Sequence, residues 1–83
     1  MKTRRNIKLK DLLNVTFDET WVKILDTYDT YFVWVADYIG GDEETLDTLK
    51  PLLDREVVDI CTRIESTPET KDSKEPILVV SLV

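Results

Sequence analysis

Carboxylates are the side chains of this sequence present in number and spaced closely enough to do chemistry. Asp42, Glu43, Glu44 and Asp47 fall within six residues, Asp54 and Glu56 flank Arg55, and Asp26, Asp29 and Asp37 interleave with aromatic residues. Clustered oxygen ligands suit hard cations, and a pair of carboxyls can work as acid and base when one is sheltered from water. The calcium-loop pattern needs alternating acids, a central glycine and a closing Glu within twelve residues, and it is absent. Acid–base catalysis needs a closed pocket, for which 83 residues leave little room. The chain has no histidine, and Cys61 stands in VVDICTRI without a neighbouring base, so it reads as a small strand residue. The expectation is a protein that is not an enzyme and uses neither cofactor nor metal. A single cysteine also excludes an internal disulfide or a CxxC cluster, which fits a reducing cytoplasm.

Both glycines, Gly40 and Gly41, stand directly before the acids in YIGGDEETL. Gly40 to Glu44 resembles the GGDEF signature of diguanylate cyclases over those five residues alone. Those domains are about twice as long, set the motif at a hairpin tip and carry an aromatic fifth residue where this chain has Glu44. Here the acids lead into leucines at helical spacing. The glycines therefore read as a turn and Asp42 as the cap of a central helix, with Glu43 and Glu44 in its first turn where the dipole favours anions. Leu46, Leu49 and Leu53 share its apolar face, and Pro51 ends it near Leu49 or Lys50.

The elements that must hold these acids follow from periodicity. Ile7 or Leu9 with Leu12 and Leu13 predicts a short N-terminal amphipathic helix. Thr20 to Asp26 and Tyr31 to Ala36, rich in β-branched and aromatic residues, predict two strands joined by the turn Thr27 to Thr30. REVVDICTRI and PILVVSLV predict two more. The expected fold class is α+β: one domain over residues 1–83, with a small antiparallel sheet of about four strands in two hairpin-like pairs and the two short helices. Residues 1–6 are expected as a basic, flexible arm and 66–76 as a mobile loop. Both faces of the strands carry large apolar residues, as with Val22 and Ile24 against Trp21 and Leu25. Helices on one side leave the second face to loops, to another protein or to a second copy of the chain.

Charge is distributed unevenly. The first ten residues carry five bases and no acid, leaving seventeen acids against six bases in the other 73, a net of −11. Such a body repels phosphate backbones, so direct nucleic-acid binding is expected at most as a weak contact of the basic arm. A basic partner protein fits better. The candidate partner-binding residues are Asp26, Asp29, Asp37, Asp42, Glu43, Glu44, Asp47, Asp54 and Glu56, together with Tyr31, Trp34 and Tyr38, because rings anchor an interface while charge steers it. The longest apolar run, ILVV at 77–80, is too short to span a bilayer, and a cytoplasmic location with no membrane contact is expected.

Taken together, IKLKDLLNV, TWVKILD, LLDREVVDI and ILVVSL resemble a group of short uncharacterised proteins from phages and mobile elements of Gram-positive bacteria. Members begin with a KLKDLL-like helix, continue through a VKI-D hairpin, and end with LLDREV, a strand and a final apolar strand. The chain departs from the group in GGDEETLDTLKP, in the loop ESTPETKDSKE and in TYDT, which replaces a glycine-containing turn. The resemblance implies a small α+β domain in a prophage setting and carries over no catalytic residues. The function expected is a small acidic phage or prophage accessory protein that binds another protein. Its sharper form is an inhibitor of a host defence nuclease, of the anti-CRISPR kind, whose acids mimic nucleic acid. The alternative is a homodimeric accessory or regulatory module whose acids serve solubility.

Overall fold

The computed structural model describes residues 7–83; the basic arm expected over 1–6 lies outside them. In chain order the elements are β1 (Ile7–Lys8), α1 (Leu9–Val15), β2 (Trp21–Leu25), β3 (Thr30–Trp34), α2 (Val35–Ile39), α3 (Glu43–Leu49), β4 (Glu56–Glu65) and β5 (Glu75–Leu82). The α+β class holds. The sheet, however, has five strands rather than four, because Ile7 and Lys8 pair with Val57 and Glu56 before α1 begins. It is also mixed rather than antiparallel. The order is β1-β4-β5-β2-β3, and β5 runs parallel to β2 while every other pair is antiparallel. The two expected hairpins, β2–β3 and β4–β5, are present and are joined by that parallel seam. Strand composition explains the order: β5 is apolar on both faces, which suits a central strand covered on both sides.

One face of the sheet packs on the helices. Val22, Ile24, Val33, Val57, Val80 and Leu82 meet Leu9, Leu12 and Leu13 of α1, Val35 of α2 and Leu49 of α3 in a single core. Leu9, Leu12 and Leu13 follow the i, i+3, i+4 spacing of one helical stripe, as expected. Leu53, expected on the central helix, lies beyond its end in the turns after Pro51. Those turns put Leu52 into the core and Leu53 against it.

The second strand differs from expectation. It stops at Trp34, and the chain coils into α2, with the Val35 and Ala36 amides donating to the carbonyls of Thr20 and Asp18. Val35 and Tyr38, three residues apart, both turn toward the core, so burial overrides the strand propensity of YFVWVA. Gly40 and Gly41 then reverse the chain. Gly41 has φ 81°, where a side chain would be strained, and a Cβ on Gly40 would meet the Ala36 carbonyl at 3.1 Å.

The middle of the second face is covered by the sheet's own curl. Lys23 of β2 is in register with Val79, and Glu65 of β4 with Glu75, yet Lys23 Nζ donates to Glu65 Oε1 at 2.7 Å. The pair therefore crosses β5 above Ile77, which is 2% exposed, as is Val79. The loop after β4 closes over the same side. Thr67 in that loop is 3% exposed, and its hydroxyl accepts from the amides of Glu69 and Thr70. Thus the segment expected as a mobile loop over 66–76 contains a hydrogen-bonded turn, and its last two residues belong to β5.

Candidate functional site

The candidate acids divide by what they already touch. Asp26, at the end of β2, accepts a bond of 2.6 Å from the Arg55 guanidinium on Oδ1, which also accepts from the Thr27 amide at 2.8 Å. These bonds, the one to Arg55 first, hold its carboxyl below the usual range. Arg55 in turn donates through Nε and Nη2 to the Val83 carbonyl, tying β2, β4 and β5 together at one end of the sheet. Asp54 pairs with Lys10 at 3.0 Å; this bond lowers the Asp54 pKa and raises that of Lys10. Asp29 closes the β2–β3 turn, where its carbonyl accepts from the Asp26 amide at 2.9 Å. The carboxylates of Asp26 and Asp54 are thus part of the scaffold, and Asp29 belongs to it through its backbone.

Asp42 caps α3: Oδ2 accepts from the Thr45 amide at 3.0 Å and from the Thr45 hydroxyl at 2.9 Å. Glu43, Glu44 and Asp47 are exposed on α3, and Asp37 is exposed on α2. The Asp42 amide donates to the Asp37 carbonyl at 2.9 Å, and Ala36 is bonded to Asp18, so Asp18, Glu19, Asp37 and the α3 acids share one end of the molecule. Among the described residues none of them forms an ion pair. Glu56 is exposed at the start of β4, beside Lys8 in register, and stands apart from that group.

The aromatic candidates divide in the same way. Tyr31 and Tyr38 pack against the main core, and burial pushes the Tyr31 hydroxyl pKa up. Trp34 is half-buried on the second face, directly across from Trp21, with ring centroids 5.4 Å apart and planes at 51°. The two indoles, Asp37, Pro68 and Glu69 line an open cleft of about 470 Å³. Two indole rings beside two carboxylates match a cationic side chain, which gains from both. Pro68 and Glu69 are not legible as site residues in the sequence, and Trp21 joins the candidates Trp34 and Asp37 as a third member. A cross-strand Trp21–Trp34 pair was available from the hairpin register, but the arrival of the β4–β5 loop over it was not.

Among the described residues no three His, Cys, Asp or Glu side chains converge as metal ligands would, and no helix is long and apolar enough to cross a membrane. No family model, curated protein or solved structure matches the chain.

Proposed function

We propose that this chain is a small phage or prophage accessory protein that acts by binding a basic protein, with the acidic α2–α3 end as its contact surface. One observation carries the reading: Asp18, Glu19, Asp37, Asp42, Glu43, Glu44 and Asp47, none of them ion-paired among the described residues, gather at one end, beside a cleft of two tryptophans, Asp37 and Glu69. There the charge steers a basic surface, and the cleft receives one Arg or Lys side chain from it. A nuclease groove that normally holds a phosphate backbone offers such a surface, so inhibition of a host defence nuclease is the specific form proposed.

Binding of the chain to purified RNA-guided nucleases, with a guide–target duplex as competitor, tests this. Binding should weaken steeply as salt rises and should be lost when Asp37, Glu43, Glu44 and Asp47 are replaced by Asn or Gln. Binding unchanged by salt, or retained in that variant, would refute charge mimicry. Trp34→Ala with the acids intact separates cleft from charge: it should weaken binding without changing the salt dependence.

A further inference from the structure

We infer that the outer edge of β4 is a self-pairing surface on which two copies of the chain join, antiparallel, about a two-fold axis at Cys61. This surface is separate from the acidic end and does not depend on the function proposed for it.

β4 spans Glu56–Glu65, and the described residues of β1, Ile7 and Lys8, pair with Val57 and Glu56. From Val58 to Glu65 the outward side of the strand has no partner among the described residues, and an open edge of that length is a template for another strand. The strand is irregular against β5 between Val57 and Asp59, where a bulge sits at the start of the free stretch. Beyond it no proline, lysine or further irregularity blunts the edge. Its helix-side face is also apolar and wet: Val58 is 60% exposed, Ile60 44% and Ile64 67%.

Register selects the occupant. Antiparallel pairing of two identical strands about a two-fold axis places residues of like orientation opposite one another, so the axis passes through a residue of β4. An axis at Cys61 sets Asp59 opposite Arg63 of the second copy and, by symmetry, Arg63 opposite Asp59. It also sets Val58 opposite Ile64 twice and Ile60 opposite Thr62 twice. Asp59 and Arg63 share one sheet face, given their register with Ser81 and Ile77 of β5, so each pair is a direct cross-strand neighbour of opposite charge. The stretch used, 58–64, adjoins the positions paired with Ile7 and Lys8, and neither of those two residues need be displaced. An axis at Thr62 would set Asp59 against Glu65, two acids face to face. An axis at Ile60 would pair only 58–62 before meeting β1, and it would leave both charges without a counterpart. The strand thus complements itself in one register, which argues for a second copy over an unrelated extended segment.

Sedimentation equilibrium of the full chain over a range of concentrations tests the interface. The expected mass at high concentration is twice the 9.7 kDa chain. Asp59→Arg and Arg63→Asp should each weaken association roughly thirty-fold, because two symmetry-related attractive pairs become repulsive. The double variant D59R/R63D should restore it, which also shows that the single variants fail through charge and not through folding. With added diamide, two Cys61 thiols should give up two protons and two electrons to the reagent and form one Sγ–Sγ bond between copies. That cross-link should fall with association in the single variants and return in the double. A monomer at every concentration overturns the proposal and leaves the edge to residues 1–6 or to another protein's strand. A dimer indifferent to both single substitutions, or one not restored by the double, overturns it equally.

Discussion

Ile77 is where burial by the curled sheet can be measured. It points away from the helices, out of the main core, and owes its 2% exposure to the curl of β4–β5 and the Lys23–Glu65 pair that crosses above it. Truncating a fully buried isoleucine to alanine costs about 2–5 kcal/mol. The cover here includes a flexible ion pair that can partly collapse onto the gap, so Ile77→Ala should cost about 3 kcal/mol, in the lower half of that range. A domain of this size has roughly 4–12 kcal/mol of stability in total, and the substitution should lower Tm by about 12–24 °C. Ile64, 67% exposed on the same hairpin, is the control: Ile64→Ala should change stability by less than about 0.5 kcal/mol. Urea unfolding followed by the emission of Trp21 and Trp34, repeated at several protein concentrations so that association is separated from folding, reads both. If Ile77→Ala costs less than about 1 kcal/mol and cannot be told from Ile64→Ala, the second face is wet and the account of the curl is wrong.

The Lys23–Glu65 pair should make part of the stability depend on pH. The bond from Lys23 lowers the Glu65 pKa below its unfolded value; its contribution is therefore present above about pH 4.3 and is lost as pH falls through the folded value. Glu65→Gln should be less stable than the parent at pH 7, and the gap should close as pH falls through the folded value in parallel urea titrations; a gap that does not change with pH would remove the ion pair from the explanation. Asp42→Ala should destabilise by about 1 kcal/mol through loss of the α3 cap, measured by thermal unfolding, with Asp42→Asn largely retaining it. Replacing Asp37, Glu43, Glu44 and Asp47 together should abolish salt-dependent binding to a basic partner while leaving Tm almost unchanged, since none of the four is ion-paired among the described residues.

Local signals were readable wherever the residues that decide a structure are neighbours in sequence. The leucine spacing of α1 placed Leu9, Leu12 and Leu13 on one stripe, Asp42 announced the cap of α3, and the β2–β3 hairpin followed from two β-rich runs around TYDT. The second strand was read too long because YFVWVA has strand propensity throughout, while the bonds that turn Val35 and Ala36 into α2 come from Asp18 and Thr20.

Composition and periodicity dictate an α+β domain with a strongly acidic body, a capped central helix and strands too apolar for one covered face. Which acids are spoken for was decided only in three dimensions: Asp26 meets Arg55 and Asp54 meets Lys10 across 29 and 44 positions of chain, and no local pattern encodes such pairs. The parallel seam between β2 and β5, the cleft at Trp21 and Trp34, and the edge of β4 left open among the described residues are likewise products of how two hairpins pack. Side-chain periodicity fixes which residues share a face of one strand, but the choice of neighbouring strand depends on the burial available to the whole sheet.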